Sequence, residues 1–463
     1  MAPDGRFETA AQRLAGFYAG VRRAELPTET VHAIRRHVLD TFGAALAGVR
    51  QPEPVAALAA ASAVYGASGP AVLWGRNERL PPAGAALVNG TAAHALELDD
   101  ASGCDHSGAV VVPAVMAALP LAPAADDGDF VAAIAVGYGL GRRVLEAAGG
   151  YDAHNNAGWH STGTCGVFGA AAAVARLMGF DAPTTCRALG IAGSFASGTW
   201  AFLADGAMTK RLHPGHAAAA GVLAAALARS GLSGPAGVFD EPWGGFLSTY
   251  ARDHGSVRML TEGLGEEWRI HRSSIKPFAS CRGTHAAIEA VLELRADGVT
   301  PSDVDAVEIG AHKTIVRMCG GKEINTLVDA QMSLPYAVAV ALIHGAADLP
   351  MFAERVRDNP AVLAQVDRIA VIEDAAVPGN VAANVSLRLF NGEVRRRRID
   401  VPIGSAARPL PDKAVRAKYR TLTEPILGRE ATTALEDAVW LLGEGVKPIA
   451  IAAHLQGVSS RAA

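Results

Sequence analysis

The sequence is poor in aromatic and charged residues, and it holds no hydrophobic run long enough to cross a membrane. Aromatic residues make up 6% of the 463 residues and charged residues 19%, whereas 50% are hydrophobic, with alanine the most frequent among them. The most apolar windows, 109–125 and 217–228, are interrupted by prolines or end short of the ~20 residues that a membrane span requires. We therefore expect no membrane partner, and we predict that both windows are core helices packed through small side chains.

Cysteine is also scarce, and its spacing excludes two classes of site. The five cysteines, at positions 104, 165, 186, 281 and 319, form neither a C-x-x-C pair nor the spacing of a zinc site. Free thiols are typical of a reducing compartment. Residues 1–6 are not followed by the apolar stretch that a secretory signal needs behind its basic head. The sequence therefore predicts a cytoplasmic protein.

Motifs for nucleic acid and for cofactors are absent as well. The net charge of -4 is close to balance, and no basic stripe with interleaved aromatic residues occurs, so nucleic acid is not an expected partner. The sequence has no glycine-rich phosphate-binding or dinucleotide-binding motif, and its 14 histidines do not recur at metal-ligand spacings. We predict no cofactor and no metal, so that side chains alone would carry out any chemistry.

The pattern of apolar residues changes near residue 266. Before that point, apolar residues recur at steps of three and four between Gly- and Pro-rich links, which predicts consecutive helices. Beyond it, helices alternate with strands, including a strand at 268–275 and a hairpin in which Asn391-Gly392 predicts a type I′ turn. The predicted fold is mainly α, with a large all-helical domain formed by both chain ends (1–268 and 402–463) and an inserted smaller α+β domain (269–401).

Acidic residues end one apolar helix pattern just before a histidine. Glu97, Asp99 and Asp100 close the pattern that begins near Pro82, and His106 follows in the next loop. A carboxylate beside an imidazole orients the ring and adjusts its pKa, as acid–base chemistry requires. The alternative is a helix end with solvated acids, although acids at a helix C-terminus oppose the helix dipole.

Basic residues precede the alanine-rich window in an arrangement that favours an anion. Lys210 and His213 stand before Pro214, which we predict to open a helix because proline is tolerated in a first turn. The free N–H groups of that turn would then face the same side as Lys210 and His213. The alternative is an exposed basic turn before a core helix.

Two further polar stretches hold candidate substrate contacts. His160 precedes a small-residue helix and could bind a substrate oxygen, with Thr162 as the cap of that helix. Lys276 leaves the predicted strand, and Arg282 and His285 open the next helix. Arginine and lysine in such positions are suited to holding carboxylates.

Cys281 and Gln331 complete the set of polar candidates. The Cys281 thiol could act as a nucleophile, but no paired histidine and aspartate that would activate it are evident in the sequence, so packing is its favoured role. Gln331 belongs to the polar stretch 329–336 and is grouped with the substrate-binding candidates.

Five stretches resemble, in order and spacing, the MmgE/PrpD family over about residues 10–440. They are Asn89–Asp100, His106–Pro113, Met208–Lys210, Lys276–His285 and Asp329–Tyr336. The resemblance implies the same two-part fold, a cleft between the domains and a homodimer. It also implies active-site positions at His106, His160, Lys210, Lys276 and Tyr336.

Two positions differ from the family members that resemble cis-aconitate decarboxylase. Glu97 stands where those members have an aspartate, and Cys281 stands where they have a histidine. These differences favour a cofactor-independent lyase similar to 2-methylcitrate dehydratase, which takes a proton from carbon next to a carboxylate of a small di- or tricarboxylic acid. The alternatives are an epimerase or isomerase of a substituted succinate, similar to iminodisuccinate epimerase, a decarboxylase of cis-aconitate, and a non-catalytic carboxylate-binding protein.

The predicted mechanism divides these residues between charge stabilisation and proton transfer. Three cations would hold the substrate carboxylates and stabilise an enediolate: Lys210, Lys276 and Arg282. His106, oriented by Glu97 or Asp99, would exchange the proton on carbon. His160 or Tyr336 would protonate the leaving hydroxyl or the opposite face of the carbanion.

Overall fold

The computed structural model describes residues 8–457 and is mainly helical, with two small sheets. This architecture confirms the predicted mainly α class. The segment considered above as a possible secretory signal lies outside the described residues. Within residues 8–457, no helix is both long enough and apolar enough to span a bilayer.

Helices follow one another between residues 10 and 261. They are α1 (Ala10–Gly20), α2 (Thr28–Gly48), α3 (Pro52–Tyr65), α4 (Pro82–His94), α5 (Ser107–Ala118), α6 (Asp127–Ala147), α7 (Gly150–Asn156), α8 (Ser161–Thr164), α9 (Gly166–Leu177), α10 (Ala182–Gly193), α11 (Thr209–Arg229) and α12 (Val257–Thr261). A two-stranded ribbon of β1 (Ala71–Val72) and β2 (Arg79–Leu80) interrupts them. Side-chain caps fix some of the starts, because Thr9 caps α1 and Asp126 caps α6.

The chain then forms mixed structure before it returns to helix. The mixed part contains α13 (His285–Ala296), β3 (Val304–Ala311), α14 (Lys313–Cys319), α15 (Leu327–Gln331), α16 (Leu334–His344), α17 (Glu354–Arg357), α18 (Pro360–Asp367), β4 (Ile369–Glu373), β5 (Ala383–Leu389) and β6 (Val394–Ile399). The strand order is β4-β3-β5-β6, with β3 and β4 parallel and the other pairs antiparallel. The last helices are α19 (Asp412–Leu427), α20 (Arg429–Trp440) and α21 (Pro448–His454).

Buried apolar side chains form two clusters. The larger cluster is built mainly from helices of both chain ends, and the smaller one from β3, β4, β5 and the helices around them. Leu96 and Leu98, just after α4, pack in the smaller cluster, whereas Cys104 packs in the larger one. The loop between α4 and α5 therefore lies where the two clusters meet. The domain boundaries at 268 and 402 stay predictions.

Small residues let α4 and α11 approach each other closely. A Cβ on Gly215 would lie 2.3 Å from the carbonyl oxygen of Leu87, and a Cβ on Gly90 would lie 2.7 Å from the Cα of Gly215. Only glycine leaves room for this contact, since any side chain would meet backbone. The crossing brings the loop that follows α4, with Glu97, beside the first turn of α11, with Lys210.

The predicted start of α11 at Pro214 is wrong. The helix begins at Thr209, and Pro214 lies inside it. Proline has no N–H, so the carbonyl of Lys210 loses its helical hydrogen bond, but the helix continues. As a result Lys210 and Arg211 belong to the first turn and are buried, in contrast to the exposed basic turn considered from the sequence.

The predicted strand at 268–275 is also wrong. Arg269–Arg272 form a 3-10 turn, and the only pairing of this segment is an isolated bridge between Ser274 and Ala101. Arg269 and Ile270 are buried in succession, so the alternating burial of a half-buried strand is absent.

The hairpin of β5 and β6 is confirmed, but its turn type differs from the prediction. Gly392 has a positive φ of 88°, whereas Asn391 is not among the residues with positive φ. A type I′ turn needs positive φ at both central positions. The Gly392 N–H donates to the carbonyl of Leu389 at 2.9 Å, so Gly392 is the fourth residue of the turn and not one of its two central residues.

Candidate active site

Glu97 is the centre of a buried group of charges. Its carboxylate accepts hydrogen bonds from Lys210 Nζ and from the Arg211 guanidinium, and Lys276 Nζ lies 3.3 Å from Oε1 and 2.8 Å from the Glu97 carbonyl oxygen. Burial raises the pKa of Glu97, but the charges of the three cations outweigh burial and hold that pKa well below its usual value. The carboxylate is therefore ionised and compensates part of the cationic charge.

Gln331 ties this group to the backbone around it. Its Nε2 donates to the carbonyl oxygens of Leu96 at 2.7 Å and Ala279 at 3.0 Å, and its Oε1 accepts from Arg211 at 2.8 Å. These bonds join the segment after α4, the first turn of α11 and the segment before α13. Gln331 is fully buried and does not border the cavity described below.

His106 lies beside Glu97 and contacts three acids. Its Nδ1 lies 3.0 Å from Asp99 Oδ2 and 2.8 Å from the carbonyl oxygen of Asp100, and its Nε2 lies 3.6 Å from Asp105 Oδ2 and 3.9 Å from Glu97 Oε1. Burial lowers the pKa of His106, but the charges of Asp105 and Asp99 outweigh burial and raise it to about 9. His106 is therefore an imidazolium at neutral pH.

His94 contacts the same carboxylate, Asp99, as His106 does, but His94 is neutral. Its Nδ1 lies 3.0 Å from Asp99 Oδ1, and the two imidazole rings are 4.2 Å apart. Burial holds the pKa of His94 well below its usual value even though Asp99 opposes this shift, and the charge of His106 lowers it further. The pair consequently carries one positive charge, and it resides on His106.

His160 also faces Asp105. Its Nε2 lies 3.6 Å from Asp105 Oδ2 and 3.2 Å from Thr162 Oγ1, and its Nδ1 lies 2.8 Å from His213 Nδ1. Burial lowers the pKa of His160, and burial lowers the pKa of His213 to about 3, so both imidazoles are neutral at pH 7. Thr162 contacts His160 and no side chain caps α8, so the capping role predicted for Thr162 is wrong.

Unfavourable backbone geometry is concentrated in the loop between α4 and α5. Within residues 8–457, three of the four non-glycine residues with positive φ lie in this loop: Glu97 (55°), Ser102 (65°) and Asp105 (111°). Such conformations are costly for residues with a Cβ and are typical of functional sites. Burial raises the pKa of Asp105, but His106 and His160 outweigh burial and lower it to about 2.

A cavity of about 260 Å³ opens beside these groups. Its wall includes the acids Glu97 and Asp105 and the imidazolium of His106. Four cationic side chains also border it: Arg142, Lys210, Arg272 and Arg282. Positive charges therefore outnumber negative ones at the wall, which favours an anionic ligand.

Sequence reasoning missed Arg142, Arg272 and Asp105. Glu146 holds both arginines, because its Oε1 lies 2.9 Å from Arg142 Nε and 2.6 Å from Arg272 Nη1. Arg142 lies within an apolar helix pattern, and Arg272 precedes the Lys276–His285 stretch without belonging to it, so neither arginine was distinguished from a solvated surface residue. Asp105 did carry a signal, since it directly precedes His106.

Arg282 borders the cavity, but backbone groups hold much of its guanidinium. Nη1 donates to the carbonyl of Ile403 and Nη2 to the carbonyl of Pro402, both at 3.1 Å, and Nη1 lies 2.9 Å from His285 Nδ1. Burial lowers the pKa of Arg282 to about 10, which leaves it charged. His285 lies behind Arg282, away from the cavity, and burial holds its pKa well below the usual value.

Asp100 and Tyr336 lie apart from the cavity. Asp100 accepts hydrogen bonds from the Tyr138 hydroxyl at 2.7 Å and from the N–H of Gly108 at 2.9 Å, which anchors the start of α5. The Tyr336 hydroxyl donates to the carbonyl of Met351 at 2.6 Å inside the smaller core cluster. Three other predicted residues do not border the cavity but contact residues of its wall: Asp99, His160 and Lys276.

Cys281 is a further titratable group at the cavity wall. A hydrogen bond with Cys319 lowers the pKa of Cys281 to about 7 although burial opposes this shift, and it raises the pKa of Cys319 well above its usual value. The N–H of Cys281 donates to the carbonyl of Gln331 at 2.9 Å, which fixes its backbone. A thiolate can therefore form at the wall near neutral pH.

Both halves of the chain match the same protein family. The model described as the MmgE/PrpD N-terminal domain matches residues 12–256, and the model described as the MmgE/PrpD C-terminal domain matches residues 278–442. The chain belongs to the MmgE/PrpD family. The resemblance noted in the sequence is thereby confirmed.

Curated members of the MmgE/PrpD family resemble the chain over most of its length. A "cis-aconitate decarboxylase-like protein oryM" of Aspergillus oryzae is 28% identical over 94% of both chains. The cis-aconitate decarboxylase of Aspergillus terreus is 28% identical over 90% of this chain and 89% of its own. The cis-aconitate decarboxylase of Mus musculus is 26% identical over 92% and 89%, respectively.

Proposed function

We propose that this member of the MmgE/PrpD family is a lyase that acts on a small di- or tricarboxylic acid in the cavity beside His106. The observation that carries the proposal is a charged imidazole at a wall with four cationic side chains. The cations would hold the carboxylates of the substrate, and His106 would supply a proton. The chemistry would thus rest on side chains of the chain itself.

The cations support binding and charge stabilisation. Arg142, Arg272 and Arg282 would pair with substrate carboxylates, and Lys210 would be shared between the substrate and Glu97. An enediolate or carbanion that forms next to a carboxylate would be stabilised by cations that are already in place. Lys276 does not border the cavity and would act by positioning Glu97.

The protonation of His106 supports a role as general acid. Because His106 is charged at neutral pH, it has no free lone pair with which to take a proton from carbon. This assignment reverses the predicted role of His106 as the base. A well-placed general acid contributes roughly 10²- to 10⁴-fold in rate.

Dehydration, the reaction favoured from the sequence, would need a base as well as this acid. The Cys281 thiolate is suited to that role because it borders the cavity. It would take the proton from carbon next to a carboxylate, the C–O bond would break, and His106 would give its proton to the departing hydroxyl, which leaves as water. Groups whose pKa values lie on either side of the working pH are typical of such acid and base pairs.

Decarboxylation is the second candidate, and the names of the relatives favour it. In this reaction the bond between carbon and a carboxylate breaks, CO₂ leaves, and the carbon takes the proton of His106. This route needs the cations and the general acid but no base. Cys281 would then be dispensable.

Proton NMR in D₂O and a CO₂ assay distinguish the two reactions on a panel of methylcitrate, citrate, aconitates and substituted succinates. Dehydration predicts a vinyl product, and Cys281→Ser should abolish its formation. For the wild type, kcat/KM of dehydration should rise through about pH 7, as Cys281 loses its proton, and fall above about pH 9, as His106 loses its proton. Decarboxylation predicts CO₂ release that persists in Cys281→Ser and declines only above about pH 9.

Two outcomes of the same panel would contradict the proposal. Solvent exchange of the proton on carbon without elimination or CO₂ would identify an epimerase of a substituted succinate. Thermal stabilisation by these acids without turnover would identify a non-catalytic carboxylate-binding protein.

A further inference from the structure

Two imidazoles and one carboxylate converge at the cavity in the arrangement of a metal site. Nε2 of His106 and Nε2 of His160 each lie 3.6 Å from Asp105 Oδ2, and the three atoms all lie within 4.8 Å of one another. Tetrahedral zinc with bonds of about 2.0–2.2 Å places neighbouring ligand atoms about 3.3–3.5 Å apart. Two of the three separations are therefore already close to those of a bound ion.

The second nitrogen of each imidazole is held in a way that directs Nε2 toward Asp105. Nδ1 of His106 contacts Asp99 Oδ2 at 3.0 Å, and Nδ1 of His160 contacts His213 Nδ1 at 2.8 Å. Metal-binding histidines are commonly oriented by a partner on the other ring nitrogen. Thr162 Oγ1, 3.2 Å from His160 Nε2, would have to give up this contact on metal binding.

The surroundings leave a coordination position open. Asp105 and His106 border the cavity, so a water molecule or a substrate carboxylate could reach an ion held between them. Sites with three protein ligands and one open position are typical of zinc centres that bind small molecules. Repulsion from Lys210 is reduced because that side chain is paired with Glu97.

A second set of three potential ligands lies deeper in the protein. His94, Asp99 and His106 also have ligand atoms within 4.8 Å of one another. His94 and Asp99 are fully buried and do not border the cavity, so this set offers no open position. The set at Asp105 is therefore the better site.

We propose that His106, His160 and Asp105 bind a divalent transition metal ion, with Zn²⁺ the best match, and that the bound ion blocks proton donation by His106. The reason is that Nε2 of His106 cannot carry a proton and a metal ion at the same time. The expectation of no metal drawn from the sequence rested on ligand spacing. That spacing is uninformative here because Asp105 and His106 come from one segment of the chain and His160 from another.

Binding of Zn²⁺ and Co²⁺ to the full-length metal-free protein tests the site without any need for turnover. Calorimetry with Zn²⁺ alone should show one site, and Co²⁺ should give the visible absorption bands of tetrahedral coordination. Asp105→Asn and His160→Gln should each weaken binding by roughly tenfold or more. His344→Gln removes an exposed histidine outside the cavity and should bind as the wild type does. Cys281→Ser should leave the Co²⁺ bands unchanged.

Absence of the tetrahedral bands, or equal affinity in Asp105→Asn, His160→Gln and the wild type, would overturn the site. Circular dichroism of each variant separates loss of ligands from loss of fold. The second part of the proposal rests on the proposed function and is tested with an active substrate. Zn²⁺ should inhibit turnover and a chelator should restore it, whereas stimulation by Zn²⁺ would overturn the block while leaving the binding result intact.

Discussion

At the scale of single residues, the distribution of charge around Asp99 gives the site its chemical character. His94 and His106 contact the same carboxylate, and each lies 3.9 Å from Glu97, but only His106 also faces Asp105. Burial keeps His94 neutral, whereas the charges of Asp105 and Asp99 outweigh burial at His106 and raise its pKa to about 9. A proton donor is thus held at the cavity wall at neutral pH.

Replacement of His106 by glutamine should reduce turnover of the substrate found in the panel by roughly 10²- to 10⁴-fold. Glutamine keeps a polar side chain of similar reach but cannot donate a proton as an imidazolium does. The measurement is kcat and KM at pH 7.5, with His344→Gln as the matched control on an exposed histidine. A His106→Gln protein that folds normally and keeps most of its kcat would exclude the role of general acid.

The same imidazole should make stability depend on pH. Because the pKa of His106 is raised from about 6.5 to about 9 in the folded state, its contribution is complete below pH 6.5 and is lost as pH rises through about 9. The free energy of unfolding of the wild type should therefore fall between pH 7 and 10 relative to that of His106→Gln. Denaturant unfolding at several pH values measures this difference, and a constant difference across the range would contradict the raised pKa.

At the scale of elements, glycines in α4 and α11 set the distance between α11, which carries Lys210, and α4, which is followed directly by the loop with Glu97. Gly215 of α11 lies against the backbone of α4 near Leu87, and Gly90 of α4 faces Gly215. A side chain at either glycine would separate the two helices. The separation would move Lys210 away from the carboxylate that it neutralises.

Gly215→Ala should destabilise the protein by about 1–3 kcal/mol, because the added methyl group meets backbone atoms that cannot move independently. The matched control is Gly16→Ala on α1, where a Cβ would meet nothing within 4 Å. That change should stabilise the protein by up to about 1 kcal/mol, since alanine favours helix over glycine. Thermal or denaturant unfolding compares the two, and equal effects would show that the crossing has room for a side chain.

Local sequence patterns predict elements well where burial alone decides them. The pattern of Val31, Ile34 and Val38 predicts a helix over 29–48, and α2 runs over 28–48. The patterns fail where tertiary contacts determine the local structure. Pro214, for example, was predicted to start a helix but lies in the interior of the buried helix α11. They fail again at 268–275, where a segment rich in strand-forming residues winds into a 3-10 turn against the larger core.

At the scale of the whole molecule, the site shows which information a sequence lacks. Motif and resemblance identified Lys210, Lys276, His106 and Glu97, and the structure brings them together. No local signal identified Arg142, because a cation on a helix face differs from a solvated one only through the distant surfaces that pack around it. The protonation of the histidines was equally hidden, since it depends on acids that meet only in the folded chain.

The homodimer implied by the family resemblance is a prediction at this same scale. Several large apolar side chains are exposed on the single chain, among them Val64 (76%) and Trp243 (91%). Exposed apolar groups are favourable contacts for a second copy of the chain when they form a patch. If the resemblance extends to the assembly, sedimentation should give about twice the 47.7 kDa of one chain, and a mass of 47.7 kDa at micromolar concentration would contradict the prediction.

The protonation state of His106 decides whether the cavity holds a general acid, and an NMR titration of its imidazole measures it directly. The resonance is assigned as the one missing from His106→Gln. The structure predicts a pKa of about 9, so that the ring is still charged at pH 8. A pKa at or below the ordinary value of about 6.5 would contradict the account, because His106 would then be neutral where the protein is proposed to act.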